Sequence, residues 1–201
     1  MCGFAGFLGS SAVKNDAARV LANMADTIIS RGPDDCGLWS GPSGIGLAHR
    51  RLSIMDLSSA GHQPMVSCCG RYVIAFNGEI YNHQVLRAEL SKGLNGGTSG
   101  NPWRGHSDTE TLLACFSVWG IKETVERCIG MFAFALWDQK ERVLTLARDR
   151  IGEKPLYFGW QGLGGNASFL FGSDLNAIKA HPSFGAEINR DALCLLLRHN
   201  Y

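Results

Sequence analysis

A cysteine at position 2 puts a thiol next to the start of the chain. Trimming of Met1 before so small a side chain would leave Cys2 with a free α-amino group. An unperturbed α-amine has a pKa of about 7.7–8.0, so at neutral pH it can act as a general base. Nucleophile and base would then share one residue, with no histidine required, which is the logic of N-terminal nucleophiles. Taken alone, Cys2 reads first as a small buried residue opening a strand. The six other cysteines show no CxxC spacing, and Cys68 and Cys69 are adjacent. This argues against a zinc site or a disulfide framework and for a reducing compartment. Other signals are weak. The six histidines form no HExxH pattern, and no metal site is expected. Gly162 to Ala167 resembles a dinucleotide fingerprint but opens no helix, and reads as a turn between strands.

The elements that must carry this thiol follow from patterning. Gly3 to Leu8 reads as a buried strand, and Gly37 to Ser40, Ile45 to His49 and Tyr72 to Phe76 as short strands. Met131 to Asp138 and Val143 to Arg148 flank a polar turn and form a hairpin. Further strands lie around Leu156 to Trp160 and Phe169 to Phe171. Helical spacing marks Asn15 to Ile29, with Asn15 or Asp16 as its cap, and Asn82 to Lys92, with Val85, Leu86 and Leu90 inward. Ser107-Asp108-Thr109-Glu110 matches a capping box ahead of another helix, and two more cover Asp174 to Ala180 and Arg190 to Arg198. Gly93 to Gly105 reads as an insertion-tolerant segment. Many short strands with interspersed helices and no regular βαβ alternation point to antiparallel sheets covered by helices, an α+β fold. The 201 residues, 45% hydrophobic and 18% charged, suit one domain with a full core. A net charge of +1 offers no electrostatic footprint for nucleic acid. The longest apolar run, Met131 to Trp137, is too short for a membrane span, and no basic leader precedes an apolar stretch. A cytoplasmic protein is expected.

Several motifs in a fixed order sharpen this reading. They are Met1-Cys2-Gly3-Phe4-Ala5-Gly6, Arg31-Gly32-Pro33-Asp34, His49-Arg50-Arg51-Leu52-Ser53-Ile54, Phe76-Asn77-Gly78-Glu79-Ile80-Tyr81-Asn82, Ser107-Asp108-Thr109-Glu110 and Gly130 to Ala135. Arg148-Asp149-Arg150 and Gly152 to Tyr157 extend the series. Together they resemble the class II glutamine amidotransferase domain, in the version found in glutamine-hydrolysing asparagine synthetases. The resemblance implies a four-layer αββα sandwich of two antiparallel sheets, of the N-terminal-nucleophile hydrolase type. It implies hydrolysis of the L-glutamine side-chain amide to glutamate and ammonia. By that resemblance Cys2 is the nucleophile, and Asn77 and Gly78 form the oxyanion hole. Arg51 grips the substrate α-carboxylate, Asp108 accepts its α-ammonium with Glu79 beside it, and Leu52, Ser53, Ile54 and Met55 line the pocket. Arg31 and His49 fit the motifs in structural roles. Without the pattern, Asn77-Gly78 would read as a hairpin turn, Arg51 as readily as a surface charge, and Asp108 as a first-turn partner of a helix dipole.

The resemblance also sets partners. Residues 1–201 would be the amidotransferase domain. A C-terminal ATP-dependent synthetase domain, with ATP and magnesium, would receive the ammonia for an amidation such as asparagine synthesis. No phosphate loop of that domain occurs in this sequence, and no cofactor is expected within it. A homodimer is possible. Relatives that amidate sugars of surface polysaccharides share the pattern, and a non-catalytic glutamine-binding role would follow if Met1 stayed in place.

Overall fold

The computed structural model describes residues 2–9, 16–54, 56–93, 103–164 and 167–199. Met1, Asn15, Met55, most of the Gly93 to Gly105 segment and part of the Gly162 to Ala167 turn lie outside them. The strands are β1 (Gly3–Gly9), β2 (Asp35–Ser40), β3 (Ile45–Arg51), β4 (Met65–Val66), β5 (Tyr72–Ile80), β6 (Gly130–Asp138), β7 (Val143–Arg148), β8 (Tyr157–Gln161) and β9 (Ser168–Gly172). They form a five-stranded sheet, β2-β3-β1-β9-β8, and a four-stranded sheet, β4-β5-β6-β7. Every pairing between described strands is antiparallel. The helices are α1 (Ala17–Asp26), α2 (His83–Gly93), α3 (Asp108–Trp119), α4 (Ile121–Arg127), α5 (Leu175–Lys179) and α6 (Arg190–His199).

Strand alternation dictates the layers, because successive side chains point to opposite faces of a sheet. In β5, Val73 and Ala75 join Phe4, Ile45, Leu47 and Phe171 in a core between the two sheets. Tyr72, Ile74 and Phe76 point the other way, into a core shared with Leu86 and Leu90 of α2 and Leu112 and Phe116 of α3. The outer face of the larger sheet gives Ala5, Phe7 and Ala48 to a third core with Val20, Leu21 and Met24 of α1 and Ile178 of α5. Helices, sheet, sheet and helices therefore stack as four layers, as expected. Fully buried Phe4, Phe7, Phe116, Phe134 and Phe171 carry much of the drive to fold, at about 1.5–3 kcal/mol for each such side chain.

Gly6 marks how tightly the first layer packs. A Cβ there would lie 2.4 Å from the Gly46 carbonyl oxygen and from the Phe171 ring. Gly6→Ala is therefore expected to cost about 3 kcal/mol, seen as a lowered urea midpoint at unchanged m-value. A midpoint equal to that of the wild type would mean that the sheet relaxes freely around residue 6.

The structure corrects several local expectations. Asp16 makes no side-chain cap on α1 and pairs with Arg19 instead. Val85 is 58% exposed, because the buried stripe of α2 is set by Leu86 and Leu90. Ser107 does cap α3, accepting from Glu110 N–H at 3.3 Å. Glu110 does not return the bond, because its carboxylate accepts from the amides of Arg104 and Gly105 at 2.8 and 3.0 Å. Asn77-Gly78 is no turn: both residues sit inside β5, opposite Ala133 and Phe132 of β6. Strand β4 and helix α4 had no counterpart in the sequence reading.

Candidate active site

The alternation that builds the inter-sheet core also builds the site. Phe4 of β1, Leu47 of β3 and Ala75 of β5 point between the sheets. Stepping by two toward the same end of the sandwich gives Cys2, then His49 and Arg51, then Asn77 and Glu79. At this end the inward row turns from apolar to polar. Cys2, Arg51, Asn77, Gly78, Glu79 and Asp108 line a cavity of about 120 Å³.

Cys2 is half-buried and anchored at both ends of the residue. Its Sγ accepts from Leu52 N–H at 3.4 Å and lies 3.6 Å from Leu52 O, to which a thiol can donate. Its carbonyl accepts from Arg31 Nε at 3.2 Å. Arg31 thus orders the chain start, in keeping with the structural role expected of it.

Asn77 is 1% exposed, and its Nδ2 has no hydrogen-bond partner among the described residues. A buried donor left unsatisfied costs about 1–3 kcal/mol. The backbone beside it is, by contrast, fully engaged. Phe76 N–H donates to Gln63 Oε1 at 2.7 Å, and Phe76 O lies 2.9 Å from His49 Nε2. Because a carbonyl only accepts, this contact assigns the proton to Nε2. Burial pushes the His49 pKa down to about 4, so the ring is neutral at pH 7. Gln63 also donates to Thr109 Oγ1 at 3.4 Å, which ties β5 to the start of α3.

Gly78 is set by its neighbour across the sheet. A Cβ on it would fall 2.3 Å from Met131 O and 2.7 Å from Phe132 Cα. Both backbone groups of Phe132, its register partner, are taken up by Asp149: Phe132 N–H donates to the Asp149 carboxylate Oδ2 at 3.2 Å, and Asp149 N–H donates to Phe132 O at 2.7 Å. Gly78 and Phe132 are therefore a non-hydrogen-bonded pair. The Gly78 N–H consequently lies on the edge of β5 facing away from β6, the edge that Phe76 shows to Gln63 and His49.

The charged groups of the cavity have separate anchors. Arg51 donates to the carbonyls of Ser58, at 3.0 Å, and Asp56, and its guanidinium packs on Gly61, where any Cβ would clash. The Asp56 carboxylate accepts from Ser58 Oγ, Ser58 N–H and His106 N–H at 2.6–2.9 Å. The Ser58 hydroxyl and the His106 amide lead in holding its pKa down to about 2. Asp108 is buried. Its Oδ2 accepts from Ile80 N–H at 2.9 Å and its Oδ1 from Thr109 N–H at 2.8 Å. Burial raises the Asp108 pKa in spite of these bonds. Half-buried Glu79 lines the cavity as well.

The other expected residues divide. Leu52 and Ile54 line the cavity. Ser53 does not: its N–H turns to Asp34 Oδ2 at 2.8 Å. Met55 lies outside the described residues. Sequence reading gave no site role to Asp56, Gly61, Gln63, Thr109 or Lys154, all of which line the cavity. Across β6 lies a larger cavity of about 430 Å³, whose thiol, Cys128, is pushed up to about 12 by burial and is inert. The smaller cavity is the one that combines a half-exposed thiol, an unengaged amide donor, a cation and buried carboxylates. It suits a small zwitterion bearing an electrophilic carbonyl. Among the described residues no cluster of three or more His, Cys, Asp or Glu could hold a metal ion, and no helix is long and apolar enough to cross a membrane.

Residues 1–201 match a family model described as a glutamine amidotransferase domain. Over 96% of its length the chain is 38% identical to asparagine synthetase [glutamine-hydrolyzing] 3 of Bacillus subtilis, covering 30% of that protein. Asparagine synthetase [glutamine-hydrolyzing] 2 of the same organism is 35% identical over 94% of this chain and 24% of its own length. A putative asparagine synthetase [glutamine-hydrolyzing] of Mycobacterium tuberculosis is 38% identical over 96% of the chain and 30% of its own. The chain thus spans less than a third of the length of these relatives. In fold it is similar to the glutamine phosphoribosylpyrophosphate amidotransferase of B. subtilis, with a TM-score of 0.69 at 18% identity over 91% of this chain and 44% of that one.

Proposed function

The chain belongs to the glutamine amidotransferase domain family, and from that premise we propose that it hydrolyses the side-chain amide of L-glutamine through a thioester on Cys2. The observation that carries this reading is the buried, unengaged Nδ2 of Asn77 in the wall of the cavity that Cys2 also lines. A donor kept dry and unpaired is suited to a charge that exists only during reaction.

With Met1 removed, the Cys2 α-amine takes the thiol proton and the thiolate adds to the glutamine γ-carbonyl carbon. Negative charge develops on the γ-oxygen, where Asn77 Nδ2 and the outward N–H of Gly78 receive it. The same amine, now protonated, gives its proton to the departing nitrogen, and ammonia leaves. Water activated by the amine then cleaves the thioester to release glutamate and restore the thiol. Arg51 takes the α-carboxylate, Asp108 and Glu79 take the α-ammonium, and Leu52 and Ile54 complete the lining. In a longer chain built like the relatives above, the ammonia would pass to an ATP-dependent synthetase domain with magnesium, and asparagine synthesis is the amidation those relatives point to.

The test is release of glutamate and ammonia in equal amounts from L-glutamine by the chain beginning at Cys2. Absence of glutamate above the blank would overturn the reading. Arg51→Leu is expected to raise KM for glutamine about 10–100-fold, the value of a lost charged hydrogen bond. Unchanged KM would remove Arg51 from the substrate.

A further inference from the structure

Lys154 is the one lysine buried among the described residues, at 4% exposure, and it lines the same cavity as Cys2, Asn77 and Gly78. Lysine is almost never fully buried unless its charge is paired, because desolvating an ammonium costs several kcal/mol. The turn that delivers it is built around one carboxylate. Asp149 accepts from Gly152, Glu153 and Lys154 N–H at 2.6, 2.9 and 3.1 Å, and from Phe132 N–H of β6 at 3.2 Å. Burial disfavours this carboxylate, yet the amides win and hold its pKa low. Gly152 supplies the left-handed corner at φ +76°, and Arg148 Nε donates to the Lys154 carbonyl at 2.6 Å. The turn hangs on Phe132, the register partner of Gly78. The turn that carries Lys154 is thereby tied to β6 opposite Gly78, and Lys154 lines the cavity together with Met131 and Gly78, whereas Arg51 is held against Ser58, Asp56 and Gly61.

From this placement we infer that Lys154 supplies the positive potential at the reacting end of the cavity, stabilising the negative charge that forms on the γ-oxygen when the Cys2 thiolate adds. The inference rests on the glutaminase reading for its chemical consequence but not for its geometry. Asn77 and Gly78 offer neutral donors. A nearby ammonium adds net charge, and in a desolvated site such a charge acts more strongly on the transition state than on neutral substrate.

The experiment has two readouts on the chain beginning at Cys2 and on its Lys154→Gln and Lys154→Arg variants. The first is the ratio of Cys2 alkylation rates by iodoacetate and iodoacetamide, followed by peptide mapping. Each reagent loses iodide to the same thiolate, so a change in folding or thiol exposure moves both rates, whereas loss of a nearby cation slows only the anionic reagent. Lys154→Gln is expected to lower the ratio on the order of threefold or more, with Lys154→Arg close to wild type. An unchanged ratio in Lys154→Gln overturns the placement. The second readout is glutaminase kinetics: kcat should fall about tenfold or more in Lys154→Gln with KM nearly unchanged. A rise in KM at constant kcat would place Lys154 on ground-state binding and overturn the inference. A wild-type chain that releases no glutamate but shows the expected ratio change would end the glutaminase reading while leaving the cation beside Cys2.

Discussion

Cys2→Ala is expected to reduce glutamine hydrolysis by at least about 10⁴-fold, to the level of the blank, because no other thiol can take its place. The reason is local. Of the described cysteines, Cys2 alone lines the cavity with Asn77 and Arg51. Cys115 and Cys128 are buried and pushed up to about 12 by desolvation, and Cys36, Cys68, Cys69 and Cys194 are exposed elsewhere. Substrate recognition should survive, since Arg51, Asp108 and Glu79 are untouched. Glutamine should therefore still raise the melting temperature of the variant, as any ligand that binds only the folded state does. Activity retained above about one percent of wild type would sink the thioester mechanism. Loss of both activity and the glutamine-dependent melting shift would instead show that the substitution had damaged the cavity.

The second large effect is at Asn77. Asn77→Ala is expected to lower kcat about 10²–10³-fold with little change in KM, the behaviour of a donor used only as the oxyanion forms. Its effect on stability should run the other way from most buried substitutions. The side-chain amide is 1% exposed and its Nδ2 is unengaged, so removing it relieves about 1–3 kcal/mol of unsatisfied burial. That relief offsets the packing lost, and the melting temperature should stay level or rise while the rate collapses. A kcat within threefold of wild type would remove Asn77 from the oxyanion site. A fall in both stability and KM-dependent rate would assign it to the core.

How far the sequence disclosed this arrangement depends on whether the relevant residues lie on periodic elements. Leu8 back to Gly3, the Val20 to Ile28 stripe and the Met131 to Asp138 run announced β1, α1 and β6 because burial repeats along them. Cys2, Arg51 and Asn77 stood in recognisable motifs, and the structure brings all three to one cavity. Gln63 and Lys154 carried no periodic mark. Each reaches the cavity from an irregular segment whose course is set by tertiary bonds, through Phe76 and Thr109 for Gln63 and through the Asp149 turn for Lys154. The Asn-Gly pair shows the opposite failing. Local preference reads it as a turn, but nine register pairs between β5 and β6 outweigh a dipeptide preference. Val85 fell on an inward helical spacing and is exposed because α2 is covered along a narrower stripe than its sequence suggested.

The two-residue rhythm of β5 sets a rule for insertions and deletions. Val73 and Ala75 fill the space between the sheets, and Asn77 follows on the same face, while Phe76 fills the outer core. Losing or gaining one residue in this strand upstream of Asn77 would rotate that face by half a turn. Asn77 would be sent among the helices, and its place in the cleft would go to the Phe76 ring after a gain or to Gly78 after a loss, so chemistry and core would fail in the same stroke. A gain or loss of two residues would restore the faces but shift Asn77 along the strand by one pleat repeat, away from Cys2 and Gly78's partner Phe132. Changes in chain length are therefore expected in the connections between strands, where each doubling of a loop costs only about 0.6 kcal/mol, and not within the strands themselves.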